Sequence, residues 1–226
     1  MRLSSSVAAI DRLKGAAVAL GLTITSDQSD KLLRYVSELQ RWNKTYNLTA
    51  IRSADEMLVQ HIFDSLSVVA PVQKFFATTS NEVKKLMDVG SGAGLPGVVI
   101  AIMLPTIRVE CVDTVEKKAS FIRQMAGVLM LPNLISTHAR VEDKSEAGCD
   151  LVISRAFASL EDFITVAGRH VVESGSMVAM KGKEPIQEMQ SVRNNTDWWI
   201  SNVEQLTVPE MDAQRCLVWM QRKQAA

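Results

Sequence analysis

Cysteine and histidine are scarce in this 226-residue chain, and neither type clusters. Cys111, Cys149 and Cys216 are odd in number and far apart, which excludes a disulfide framework and a cysteine-based zinc site. His61, His138 and His170 are equally scattered, so no metal is expected. Neither sign of charge dominates. The 25 Lys and Arg balance the 25 Asp and Glu, so any surface that attracts nucleic acid must be a local patch. No apolar run approaches the roughly 20 residues that span a bilayer. In the opening "MRLSSSVAAIDRLKG", apolar residues run only from Val7 to Ile10, too short for a signal-peptide core, and a cytoplasmic location is expected. What is present, 47% hydrophobic and 22% charged residues, suits one well-buried domain with an extension.

Residues 1–80 read as a helical extension and residues 81–226 as the main domain. Leu32, Leu33, Val36 and Leu39 recur at helical spacing, with Ser26 or Asp27 as the expected cap. A second helix is expected from about Ala54 into "VQHIFDSLSVV", interrupted or followed by Pro71. From Lys84 short apolar runs alternate with helical stretches. The runs are Lys85–Val89, Val109–Asp113, Leu134–Thr137, Leu151–Ser154 and Met177–Lys181, with helices starting near Pro96, Val115 and Leu160. This alternation predicts an α/β fold, a mainly parallel twisted sheet covered on both faces. "WWISNVEQLTV" and "RCLVWMQ" then predict an antiparallel hairpin that ends the sheet.

Between the first strand and its helix lies "DVGSGAGLPG". Gly92 to Gly97 has Walker spacing, but Val98 and Val99 stand where Lys and Ser or Thr would hold phosphate and magnesium. The dinucleotide pattern G-x-G-x-x-G is mismatched, though tolerably in isolation: after Gly90 and Gly92 the third position is Leu95, and glycine falls at 94 and 97. A strand-end acid followed by G-x-G-x-G is the form associated with S-adenosylmethionine (AdoMet). Glycines such as Gly92 let backbone approach that ligand closely. Asp113, ending the second strand, is placed to accept both ribose hydroxyls, and its removal is expected to leave folding nearly untouched.

"RWNKTYNLTAI", "HIFDSL", "DVGSGAGLPG", "HARVED", "DLVISRAFASL" and "MKGK" follow one another in an order that resembles the bacterial RsmG (GidB) family, over about Arg41 to Lys183. The resemblance implies a Rossmann-like class I AdoMet-dependent methyltransferase that modifies N7 of guanine 527 in 16S rRNA, within the small ribosomal subunit. It also implies that Gly90 and Leu95 contact AdoMet, that Val141 and Glu142 lie at its adenine, and that Arg155 completes the cofactor site. The alternatives are a methyltransferase for another RNA or a small molecule, a ribosome-binding protein that no longer turns over, and a nicotinamide oxidoreductase, which Asp113 would suit equally but the glycine spacing disfavours.

Guanine N7 offers an unprotonated lone pair, so its methylation needs no general base. "SRAF" after the fourth strand agrees: it lacks the N/D-P-P-aromatic motif that suits an exocyclic amine, and no cysteine nucleophile follows it. No catalytic residue is assigned. Arg155 is a candidate for positioning the acceptor, or else a structural partner of Glu161 or Asp162. Candidate RNA contacts are Arg41 and Lys44, in a basic segment that also carries Tyr35, Trp42 and Tyr46, and Lys181 at the end of the fifth strand. The same segment also fits a helix with its aromatics inward and its charges in water. His61 and Asp64 share a helix face, which suits a local hydrogen bond or, more boldly, acceptor recognition.

Overall fold

The computed structural model describes residues 3–155 and 157–223. Its centre is a seven-stranded sheet ordered β3-β2-β1-β4-β5-β7-β6. The strands are β1 Lys85–Val89, β2 Arg108–Asp113, β3 Leu134–His138, β4 Cys149–Arg155, β5 Val171–Lys181, β6 Trp198–Leu206 and β7 Arg215–Arg222. Pairing is parallel from β3 through β5, and β7 runs antiparallel to both β5 and β6. The order reverses at β1, from which the chain builds outward to β2 and β3 before crossing back to β4. Such a switch point opens a crevice at the carboxyl ends of the strands.

Strand residues alternate between two apolar layers, as a sheet covered on both faces requires. Leu86, Val109, Cys111, Leu151 and Ile153 pack with α6 (Gly97–Met103) and α7 (Glu116–Val128). Met87, Val89, Val112 and Val152 face Leu160 and Phe163 of α8 (Leu160–Ala167) and Val192 of α9 (Ile186–Asn195).

The N-terminal helices are α1 (Leu3–Ala19), α2 (Ser26–Tyr46), α3 (Ala54–Met57), α4 (Asp64–Leu66) and α5 (Val69–Thr78). They bury against the same layer as α6 and α7: Leu13, Leu32, Tyr35, Leu39 and Val72 are all inaccessible to solvent. Each such side chain contributes about 1.5–3 kcal/mol by leaving water. The cap of α2 is Thr25, not Ser26 or Asp27. Its hydroxyl accepts from the Gln28 N–H at 3.1 Å while the Gln28 side chain accepts from the Thr25 N–H at 3.0 Å, a reciprocal pair that neither expected residue makes. The Gln28 amide also donates to the Ile102 and Met103 carbonyls, both at 3.2 Å, binding α2 to the end of α6.

The expected second helix runs without a break from Ala54 to Leu66, but its turns are not uniform. Between α3 and α4 the turns widen to π-helix over Leu58–Phe63. Pro71 lies in the first turn of α5, where an absent N–H costs no intrahelical bond.

Candidate active site

Gly90 follows β1 directly and has φ +66°; Gly92 and Gly94 have φ +61° and +94°. These left-handed angles turn the chain sharply at the crevice, and L side chains would be strained there. Space above Gly90 and Gly92 is open, since a Cβ at either would meet nothing within 4 Å. Gly97 does the opposite work. A Cβ there would stand 2.4 Å from the Cys111 sulfur and 2.9 Å from an Asp88 oxygen, so this glycine lets α6 approach the sheet. The dinucleotide pattern gives that packing role to its third glycine; here it falls two positions beyond Leu95.

The loop is held on all sides. The Gly90 and Ser91 N–H groups donate to the Val112 carbonyl at 2.9 and 3.2 Å, and Gly94 and Leu95 to that of Ser91 at 2.8 and 3.0 Å. Asp113 accepts from the Gly92 N–H through Oδ2 and from the Val115 N–H through Oδ1, each at 2.8 Å. Its carboxylate therefore shapes the loop as well as facing the crevice, which revises the expectation that folding would ignore its loss. From below, the fully buried Tyr35 hydroxyl donates to the Ala93 carbonyl at 2.8 Å.

A cavity of about 230 Å³ opens at this edge. Gly90, Asp113, Val141 and Glu142 line it, with Val89, Val112, Thr114, Ala139, Phe157 and Val166. The walls are mainly apolar, with one carboxylate at the end of β2 and the other in the 3-10 turn Val141–Asp143 that follows β3. The backbone N–H of Glu142 itself and the Arg140 guanidinium, 3.1 Å away, hold the Glu142 carboxyl below its ordinary range. Gly92, Leu95 and Arg155 are not among the lining residues. The Leu95 side chain is buried in the core beneath the loop. Phe157 and Val166 escaped the sequence reading, although Phe157 lies inside the quoted "SRAF".

Arg155 pairs with neither Glu161 nor Asp162. Its guanidinium donates to Asp64 at 2.9 Å and to the Gln60 carbonyl at 3.3 Å. Both α8 carboxylates are engaged elsewhere: Asp162 takes the Ser159 hydroxyl, and Glu161 takes that of Ser191. Asp64 also accepts from Arg215 at 2.9 Å, so it makes no local bond with His61. Instead the His61 ring lies 2.9 Å from the Thr49 hydroxyl through Nε2. Burial, with the nearby Arg155 charge, lowers the His61 pKa to about 4, so the ring is neutral at pH 7. Only 8% exposed, His61 does not present an acceptor-binding surface.

Lys181 lies half-buried, donating to Glu188 at 2.8 Å and to the Phe157 carbonyl at 3.2 Å; it ties β5 to α9. Of the aromatics in α2, Tyr35 is in the core and Trp42 packs on Phe121 with ring centres 5.4 Å apart. Tyr46 alone of the three is exposed. Arg41 is 68% exposed in its side chain beside Glu38, and Lys44 is also exposed. Among the described residues no acidic, His or Cys cluster fits a metal ion, and no helix is long and apolar enough to cross a membrane.

The family described as rRNA small subunit methyltransferase G (GidB) matches residues 28–218. The chain belongs to that family. Ribosomal RNA small subunit methyltransferase G of Bordetella petrii is 56% identical over 94% of this chain and 83% of its own length. The protein of that name from Bordetella avium is 54% identical over 98% of this chain and 97% of its own. Among solved structures, a SAM-dependent methyltransferase of Aquifex aeolicus aligns with a TM-score of 0.54 at 14% identity, over 73% of this chain and 92% of that one. The ribosomal protein L11 methylase of Lactobacillus delbrueckii subsp. bulgaricus aligns with a TM-score of 0.52 at 14% identity, over 68% and 76%. The GidB family chain thus has the class I methyltransferase fold, with its loop and cavity at the switch point.

Proposed function

We propose that the protein transfers a methyl group from AdoMet to N7 of guanine 527 in 16S rRNA of the small ribosomal subunit. The observation that carries this reading is the cavity itself. Bare backbone at Gly90 meets the Asp113 carboxylate there, Gly92 holds that carboxylate from outside the lining, and an apolar slot ends at Val141 and Glu142. Each Asp113 oxygen takes one backbone N–H and keeps a lone pair for a ribose hydroxyl. Val89, Val112, Val141 and Phe157 offer flat apolar contact to an adenine. The glycine backbone leaves room for the methionine portion, and Arg155, beyond the cavity, supplies a cation near the loop.

When bound, AdoMet supplies a methyl group already activated by its sulfonium. The protein's work is then to hold an acceptor in line with that group and to keep water away. Neither carboxylate of the cavity is poised as a base: Asp113 is fixed by two N–H donors and Glu142 by Arg140. An acceptor without a proton to lose fits this arrangement, and N7 of guanine is one. Arg41 and Lys44, exposed on α2, are the side chains we assign to RNA phosphates. Lys181 and His61 are withdrawn from that role by their own partners and burial.

Calorimetric titration with AdoMet and, separately, NAD tests the cofactor assignment. AdoMet should bind and NAD should not; the reverse would return the chain to oxidoreductase chemistry.

A further inference from the structure

Three segments far apart in sequence converge on one buried carboxylate. Asp64, 3% exposed, accepts from Arg155 at the end of β4 and from Arg215 at the start of β7, one oxygen to each, both at 2.9 Å. A structural ion pair needs only one guanidinium. Two on one carboxylate leave a net positive charge, and like charges held together cost energy unless a further anion joins them.

The two cations are also accessible, with side-chain exposures of 24% for Arg155 and 30% for Arg215. Arg155 spends only Nη1 on protein acceptors, and Arg215 spends Nε and Nη1. Among the described residues, Nε and Nη2 of Arg155 and Nη2 of Arg215 have no partner. Rigid, planar donors facing solvent beside a neutralising carboxylate make a preformed fork for an oxyanion.

The acids around the fork decide which side is open. Asp55, Glu56, Glu210 and Asp212 line the outer cavity that includes Arg215, and Arg12 engages two of them, Asp55 and Glu210. Arg155 does not line that cavity. Arg155 instead follows Ser154, whose hydroxyl donates to the Val89 carbonyl at 2.7 Å, one residue before Gly90. The favourable approach for an anion is therefore from the loop side.

We propose that Asp64 joins Arg155 and Arg215 into one receptor for an oxyanion of a bound reactant, next to the glycine loop. The oxyanion is the α-carboxylate of the methyl donor or a phosphodiester of the acceptor RNA. The inference rests on the methyltransferase reading and adds Asp64 and Arg215 to it.

The test compares wild type with Arg215→Gln and Arg215→Lys in the full chain. Three ligands are titrated: AdoMet, 5′-methylthioadenosine (which lacks the carboxylate), and small ribosomal subunits across a salt series. If the donor carboxylate is held, Arg215→Gln should weaken AdoMet about 10-fold to 100-fold and leave methylthioadenosine unchanged. If a phosphodiester is held, subunit binding should weaken and its salt dependence flatten, with AdoMet unmoved. In either case Arg215→Lys should recover only part of the loss. Wild-type affinity for all three ligands in Arg215→Gln would overturn the proposal, as would an equal loss for all three in both variants, which assigns Arg215 to holding the fold. Failure of wild type to bind AdoMet or subunits would instead sink the methyltransferase reading itself.

Discussion

Replacing Asp113 with alanine removes two hydrogen bonds that hold the loop and, on the proposed reading, the two that hold a ribose. The carboxylate accepts from the Gly92 and Val115 N–H groups at 2.8 Å each and is 6% exposed, so little water is available to replace it. Hydrogen bonds to charged groups are worth about 1.5–3 kcal/mol each, and the loss is softened where the loop relaxes. A stability loss of about 2–4 kcal/mol is therefore expected. It should lower Tm by about 4–16 °C for a chain of this size. Donor affinity should fall further than stability explains, by about 1–3 kcal/mol measured well below Tm. Asp113→Asn keeps one acceptor and should lie between wild type and alanine on both scales. Scanning calorimetry and AdoMet titration on the same preparations read the two effects. An alanine variant with wild-type Tm would refute the role in the loop, and one with wild-type AdoMet affinity would refute the role in the cavity.

Tyr35→Phe leaves the Ala93 carbonyl without its 2.8 Å donor, and should cost about 1–3 kcal/mol of stability with a several-fold weaker AdoMet affinity. Unchanged binding would free the loop from α2. Asp88 gives a pH signature. Burial raises its pKa to about 7, against the Gly97 N–H and Arg155, which lower it. The folded carboxyl therefore keeps its proton where the unfolded one has lost it. Stability should be highest below about pH 4, fall by about 1.4 kcal/mol per unit as pH rises from about 4 to 7, and level off above that window. Asp88→Asn should lack this slope, and parallel pH curves for variant and wild type would contradict the assignment. Arg41→Glu with Lys44→Glu should weaken binding to small subunits most clearly at low salt while AdoMet affinity holds. An equal salt slope would return those side chains to a solvated helix face.

The sheet was legible because each buried strand is a short apolar run, as in "KLMDV", and because the glycine loop and Asp113 mark where two of them end. Helix α9 was not: in "IQEMQSVRNN" only Val192 is buried, too thin a pattern to register. The Thr25–Gln28 capping box was written in the sequence, one residue before the expected cap. The π-helical turns over Leu58–Phe63 leave no such mark, because their side chains still follow a helical rhythm. Least legible was the partner of Arg155. Acids close by in sequence, Glu161 and Asp162, drew attention, whereas the bond is made to Asp64 across the fold, shared with Arg215. Long-range pairing of this kind follows from topology, not from local spacing.

The central claim is methyl transfer to one guanine, and the direct measurement is transfer of labelled methyl from AdoMet to small ribosomal subunits that lack the modification, followed by mapping of the modified base. Label should appear at N7 of guanine 527 in 16S rRNA, and Asp113→Ala should reduce it. Label at another base or at an exocyclic amine, or none at all from a folded protein that binds AdoMet, would contradict the account.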